Sequence, residues 1–522
     1  MAEQIKEREQ WGSRWGLILA VAGNAIGLGN FLRFPVQAAS NGGGAFMIPY
    51  FIFFLIVGIP LMWMEWGIGR HGGKYGHGSA PGMFDVLWKN KIAKYFGAIG
   101  LFVSTIILIY YTYIESWTLG YSFLSITKSY FGLENFEAMK SFLYGYQGRE
   151  ATQYFNGVTI AYIFMIITFA INFWILYKGI SKGIEKLAKI AMPALFIFAI
   201  IIVVRVITLG TPDPSVPENS VSSGFGFIWN PDFSKLGDPK IWLAAAGQIF
   251  FTLSVGMGTI HAYASYLKSK DDIVVSGLST AATNEFAEVV LGGSIAIPIS
   301  VAFFGIATTT AMAKGGSFDL GFASMPLVFE QIPFGEIFGF LWFLLLFFAG
   351  ITSSVAMGQQ VIAFLEDEFG MSRKKAVLSL GFAVLLAVQL VVFYLKFGFL
   401  DEMDYWAGTF GLVVFAFAET VIFMWIFGAE KAWDEMNEGG DIKIPRFFFY
   451  IMKYVTPLML FIVMMWWLIN DAIPILLLKG VAEENLIYVW GSRIFMIIVF
   501  GTFLYLIHIA WKKKRMRNGL SN

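Results

Sequence analysis

Apolar blocks of roughly 18 to 28 residues recur along almost the whole chain, and each is long enough to cross a hydrocarbon layer of about 30 Å. Twelve of them are read, at 14–40, 43–70, 90–122, 159–178, 190–209, 239–266, 274–304, 333–366, 375–395, 399–427, 447–470 and 486–511. A soluble core has no use for such runs. Of the 522 residues, 57% are hydrophobic and 14% charged, where soluble domains carry about 25% charged residues. The pattern predicts an all-α polytopic membrane protein, because helices satisfy their own backbone in lipid. The absence of cysteine excludes disulfides and thiolate metal or redox sites. A net charge of +1 without a basic block argues against a nucleic-acid partner.

Most of the 37 Lys and Arg lie at the termini and in alternate loops, among them KNKIAKY, YKGISKGIEKLAK, SRKK and the tail WKKKRMR. The positive-inside rule then places both termini in the cytoplasm of a multi-pass protein of the cell (inner) membrane. The charged start MAEQIKEREQWGSR enters the first span without a cleavage-site pattern and is read as retained. The outer loops 123–158, 210–238 and 305–332 are polar or mildly amphipathic, with Gly and Pro punctuation, and read as covers. No linker divides the chain. Residues 1–522 are expected to form a single transmembrane domain.

Two spans are interrupted in the same way. The first contains Ala25-Ile26-Gly27-Leu28-Gly29 and the sixth Ser254-Val255-Gly256-Met257-Gly258. If the two five-span halves (14–209 and 239–427) are related, their odd span number makes the second inverted, and spans 447–511 follow the repeat. Gly supplies backbone freedom, and a helix opened at mid-membrane offers N–H groups and a positive dipole end to an anion. Its freed carbonyls offer hard oxygens to a cation. Asn24 and Asn30 bracket the first interruption, and Thr252 and Ser254 begin the second. The composition suits a small zwitterion with accompanying ions. Gly23 and Gly27 also form a GxxxG step, so close helix packing stays open as their role.

Further polar residues lie inside spans. Span 8 carries Ala349-Gly350-Ile351-Thr352-Ser353-Ser354, whose hydroxyls have a simple alternative in bonding carbonyls one turn back. Span 7 carries Asn284, Glu285 and Glu288, and carboxylates at such depth are functional hypotheses by default. Glu65, Glu115 and Glu419 are read as structural. The four histidines, His71, His77, His261 and His508, are scattered, and no HExxH occurs, so the chain is not expected to be an enzyme.

The segments AGNAIGLGNFLRFP, NGGGAFMIPY, YYTYIESWTLG, GQIFFTLSVGMG, LFFAGITSS and LDEMDYWAGT resemble the neurotransmitter:sodium symporter family, over about residues 8 to 510. The resemblance implies twelve transmembrane helices in a 5+5 inverted repeat, the LeuT-like fold, with helices 1 and 6 unwound at midplane. It implies a substrate site formed by Asn24, Ala25, Gly27, Leu28, Gly29, Ile107, Tyr111, Phe251, Thr252, Ser254, Met257, Ser353 and Met357. In it an amino-acid carboxylate would meet N–H groups near Leu28 and Gly29 and the Tyr111 hydroxyl. Its ammonium would meet carbonyls of Ala25, Phe251 and Thr252 and the Ser254 hydroxyl. Two sodium ions are implied, the first at Ala25, Asn30, Thr252 and Asn284, the second at Gly23, Ile26, Ala349, Thr352 and Ser353.

Two charge pairs are implied as gates, Arg33 with Asp404 outside, near the lids Tyr111 and Phe251, and Arg8 with Asp367 inside, near Trp11, Ser265, Tyr266 and Gln359. The carboxylate of Glu288 stands where chloride-dependent members carry a neutral hydroxyl residue. It therefore implies no chloride requirement and a proton site for the return step. Met257, Met357 and Ile107 replace the Phe, Ile and Val of a leucine-carrying member, so leucine selectivity does not carry over. The expected function is sodium-coupled symport of a hydrophobic amino acid by alternating access in a lipid membrane. An amino-acid sensor on the same fold, a channel and a homodimeric assembly all stay open.

Overall fold

The computed structural model describes residues 9–517, and every regular element among them is helical. The spanning helices are α1a (Arg14–Ala25) and α1b (Gly29–Ser40), α2 (Gly44–Lys74), α3 (Ala93–Ile126), α4 (Thr159–Lys178) and α5 (Ile180–Ile207). They continue with α6a (Pro239–Thr252), α6b (Thr259–Ala264), α7 (Ile273–Lys314), α8 (Gly335–Phe369), α9 (Arg373–Phe397), α10 (Phe399–Asn437), α11 (Phe447–Leu476) and α12 (Glu483–Met516). Ten of these are continuous and long and apolar enough to cross a membrane, and α1 crosses as a pair bent by 46°. At 14 residues, α6a is about 21 Å long, short of the hydrocarbon layer. Only α6a and α6b together make a twelfth crossing. Each set of five thus opens on a broken helix.

Local sequence explains where the broken helices begin. Ser13 caps α1a by accepting the Gly16 N–H, and Asp238 caps α6a with Pro239 at the first helical position. Asp272 caps α7 by accepting the N–H groups of Val274 and Val275. The interior is built on α3 and α8, which lie along one another and bury most of their side chains. The peripheral helices α4, α5, α9, α11 and α12 instead expose Ile163, Ile197, Phe382, Leu458 and Ile497. An apolar exterior of this kind is matched to lipid.

Several helices outrun their apolar blocks. The fifth begins at Ile180 where hydropathy places its start at 190, because Lys182, Lys186 and Lys189 extend the helix past the hydrocarbon boundary. The seventh continues to Lys314 past a kink at Gly305, whose φ is 75°. The tenth continues to Asn437 beyond Gly428, where φ of 111° sets the charged Ala429–Asn437 apart from the membrane portion. The loops 123–158, 210–238 and 305–332 hold helices of their own, Phe136–Tyr146, Val221–Trp229 and Met325–Glu330.

Candidate functional site

The two breaks face each other at the centre of the molecule. At the end of α1a, Ile26 leaves the helix with ψ of 92°, and Leu28 has returned to helical angles. The Gly27 N–H donates to Asn30 Oδ1 at 2.9 Å, and the Leu28 N–H donates to the Tyr111 hydroxyl at 3.0 Å. Between α6a and α6b, Ser254, Gly256 and Gly258 all have positive φ, at 53°, 75° and 79°. The two linkers are tied together where Ser254 Oγ donates to the Asn24 carbonyl at 2.9 Å. The Asn24 side chain reaches α6b, donating to Thr259 Oγ1 at 3.0 Å.

Beside this junction a polar cluster joins four helices. Asn30 Nδ2 donates to Thr252 Oγ1 at 3.1 Å and to Asn284 Oδ1 at 2.8 Å, and Asn284 Nδ2 donates to Thr252 Oγ1 at 2.9 Å. The Thr252 hydroxyl in turn donates to Glu288, whose other oxygen accepts from Gln248 Nε2 at 2.9 Å and from the Tyr50 hydroxyl at 3.0 Å. Asn30, Thr252 and Asn284 are thus brought together, with the Thr252 hydroxyl and Asn284 Oδ1 meeting at the cluster and the Asn30 oxygen turned to the Gly27 N–H. Hydroxyl and amide oxygens are ligand types suited to an alkali cation. Ala25 is buried at the end of α1a.

A second set lies between α1a and α8. Ser353 Oγ is 3.4 Å from the Gly23 carbonyl, 3.1 Å from that of Asn24 and 3.3 Å from that of Ala349. Thr352 Oγ1 donates back to Phe348 and Ala349 at 3.0 and 3.1 Å. Gly23, Ala349, Thr352 and Ser353 therefore share one neighbourhood, and Ile26 stands at the adjoining break. Ile107 on α3, Met257 in the α6 linker and Met357 on α8 are all but fully buried.

A cavity of about 490 Å³ has Leu28, Gly29, Tyr111 and Phe251 on its walls, together with Arg33 and Asp404. Arg33 and Asp404 face this space without an ion pair between them. Asp404 accepts from the Tyr110 hydroxyl at 2.7 Å, while Arg33 donates to the Gly247 carbonyl at 3.3 Å and lies over the Phe251 ring, 4.6 Å from its centre. On the opposite side Trp11 Nε1 donates to the Tyr263 carbonyl at 3.1 Å, and Gln359 links the Tyr266 hydroxyl (2.8 Å) to Arg373 (2.7 Å). Asp367 accepts the Gly78 N–H at 2.7 Å. Its expected partner Arg8 lies outside the described residues.

One group was not legible as a unit. His261, scattered in sequence from the carboxylates, lies with Nε2 3.3 Å from Glu419 and 4.0 Å from Glu65, all three fully buried. Glu65 also accepts the Gly256 N–H at 2.6 Å, so this α2 carboxylate holds the α6 linker directly. Glu115 receives Ser354 and, at 3.2 and 3.0 Å, Asn172. The only sequence signal for these groups was their charge within apolar helices.

The Sodium:neurotransmitter symporter family model matches residues 8–133 and 149–510. The chain is 33% identical over 473 residues to an uncharacterized sodium-dependent transporter of Methanocaldococcus jannaschii, across 87% of this chain and 89% of that protein. It is 25% identical over 542 residues to the human sodium- and chloride-dependent neutral and basic amino acid transporter B(0+), across 90% of this chain and 80% of that one. It also superposes on the crystal structure of MhsT in complex with L-phenylalanine with a TM-score of 0.75 at 29% identity, over 88% of this chain and 99% of that chain. The fold is therefore LeuT-like, and the protein is a multi-pass, sodium-dependent transporter. By the match of its family model over most of its length, this chain belongs to the sodium:neurotransmitter symporter family.

Proposed function

We propose that this symporter carries a hydrophobic amino acid, aliphatic or aromatic, together with two sodium ions, by alternating access and without chloride. The observation that carries the reading is the meeting of two broken helices beside a buried, hydrogen-bonded oxygen cluster, Asn30, Thr252 and Asn284. The Leu28 N–H and the Tyr111 hydroxyl are already paired at 3.0 Å, and would turn together toward a substrate carboxylate. The first sodium would lie between that carboxylate and Ala25, Asn30, Thr252 and Asn284, so that each ligand supplies charge the other needs. The second, at Gly23, Ile26, Ala349, Thr352 and Ser353, would tie the opened α1 to α8. The relative crystallised with L-phenylalanine supports an aromatic-capable pocket, and the flexible Met257 and Met357 support a broad one.

Glu288 supports the absence of a chloride requirement, since its hydrogen bonds to Thr252, Gln248 and Tyr50 set a carboxylate within the ion cluster. The same carboxylate is the residue we assign to proton exchange on the return step. The basic loops support cytoplasmic termini in the cell membrane. With the outer cavity reaching Leu28 and Phe251 and Trp11 bonded across the inner side, the conformation is outward-facing. Two sodium ions moving through about 100 mV supply roughly 4–5 kcal/mol, or about three decades of accumulation.

Purified protein in liposomes, with a panel of amino acids competing for sodium-driven phenylalanine uptake, tests the reading. Uptake that accumulates against a gradient, prefers hydrophobic side chains and survives replacement of chloride by gluconate is expected. Absence of sodium dependence for every amino acid in the panel overturns it.

A further inference from the structure

A second cavity, of about 410 Å³, lies far from the transport site, where the start of α3 meets the end of α12. Five cationic side chains line it, Lys89, Lys91, Lys94, Lys514 and Arg515, against the single carboxylate of Asp85. Two of the five have partners. Lys94, almost fully buried, donates to the Lys91 carbonyl at 2.6 Å and stands 3.9 Å from Asp85, and Lys514 pairs with the buried Glu368 at 2.6 Å. Lys89, Lys91 and Arg515 have no ion pair with a described carboxylate. The excess positive charge is therefore uncompensated among the described residues, in an open pocket at the surface where Lys89, Lys91 and Arg515 are exposed.

Trp511 fixes the position of this space relative to the bilayer. Its Nε1 donates to Asp85 at 2.7 Å, and the ammonium groups of Lys94 and Lys514 lie 5.8 and 5.2 Å from its ring centre. Tryptophan with lysine at a helix end marks the membrane–water boundary. The Tyr95 hydroxyl, 3.2 Å from His508 Nδ1, ties α3 to α12 at the same level. Immediately alongside, Ile92 and Phe96 are 50% and 37% exposed, which presents an apolar surface next to the cations. A soluble anion would satisfy the charges and leave that surface bare, whereas an amphiphile with an anionic head satisfies both.

We infer that this pocket binds the phosphate headgroup of an anionic phospholipid, with acyl chains running past Ile92 and Phe96. Headgroup and free phosphate share the chemistry recognised by Lys and Arg, so the test separates them. The full-length protein is delipidated in detergent and titrated by native mass spectrometry with phosphatidylglycerol, with phosphatidylcholine, and with inorganic phosphate as competitor. The test variant is K89Q/K91Q/R515Q, which removes the three charges that pair with no described carboxylate. Expected are retained phosphatidylglycerol adducts on the natural chain, about 100-fold weaker adducts on the variant, at about fivefold per basic residue, and no change for phosphatidylcholine. Far-ultraviolet circular dichroism of the variant should match the natural chain. Equal phosphatidylglycerol binding by both chains overturns the site, and displacement by millimolar inorganic phosphate overturns the lipid assignment. Sodium-driven uptake by the variant is expected to persist, so this test and that of the transport reading fail independently.

Discussion

The breaks in α1 and α6 carry the same small-apolar-Gly-apolar-Gly lettering but are built differently. In α1 the interruption lasts two residues, Ile26 and Gly27, and none of Gly23, Gly27 or Gly29 has positive φ. These glycines make room. A Cβ on Gly27 would lie 3.1 Å from Ser353 Oγ and from the Tyr111 hydroxyl, and one on Gly29 would lie 2.5 Å from the Phe251 ring. The turn itself is held by a side chain, Asn30, which accepts the Gly27 N–H. In α6 the interruption runs from Leu253 to Gly258, and three of its residues have the left-handed backbone that favours glycine. Identical letters thus serve close approach in one helix and backbone conformation in the other, and the α1 glycines follow the packing alternative.

The largest test of this contrast is Gly256→Ala. Its φ of 75° is costly for alanine by about 1–2 kcal/mol, and the new Cβ would stand 2.4 Å from the Leu412 carbonyl, which is backbone and cannot swing away. A loss of about 3 kcal/mol in stability is expected, read as a lowered Tm in detergent with sodium-driven uptake abolished. Gly29→Ala comes next. Its backbone tolerates alanine, and only the Phe251 ring must move, so the Tm should hold while substrate affinity weakens about tenfold, or about 1.4 kcal/mol. In a Phe251→Leu background the added methyl should cost little. Equal unfolding by the two alanines would erase the distinction between the breaks.

The contrast also shows what reading a sequence can reach. Twelve crossings, two breaks and the oxygen-bearing residues around them were legible, because hydropathy reports burial in lipid and polar side chains stand out against it. Backbone sign was not, since Gly27 and Gly256 have the same neighbours in kind and differ only in tertiary setting. Nor was the Arg33–Asp404 geometry: each prefers another partner in the open vestibule, Phe251 for one and Tyr110 for the other. His261 looked isolated because its partners lie on α2 and α10, and long-range proximity has no local signature.

The α6 linker also carries the side chain that we assign to selectivity, so the third test keeps its backbone and changes Met257 alone. Met257→Phe replaces a flexible thioether by a rigid ring at a position only 4% exposed. We expect uptake competition to shift toward smaller aliphatic amino acids by about tenfold relative to phenylalanine, with sodium half-saturation little changed, within the range of one pocket contact. An unaltered rank order would remove Met257 from the pocket while leaving the ion cluster untouched.

Gly23→Ala should have the smallest effect, and it probes α1 where packing and ion binding overlap. A Cβ there would stand 3.1 Å from both Met192 Sδ and Thr352 Cβ. Met192 is flexible and can withdraw, but Thr352 sits on the long interior helix α8 and has little freedom to do so. The two helices must separate by a few tenths of an ångström, which lengthens the approach of Ser353 Oγ to the Gly23 carbonyl from its present 3.4 Å. A stability loss below about 1 kcal/mol is expected, with a rise of about threefold in the sodium concentration for half-maximal uptake, because Gly23 and Ser353 are both assigned to the second ion. Adding Met192→Leu, a nearly volume-conserving change that removes the sulfur facing Gly23, should ease the stability loss and leave the sodium shift, since it relieves one contact and not the other. If both effects vanish together, Gly23 acts in packing alone, and the second sodium must be held without its carbonyl.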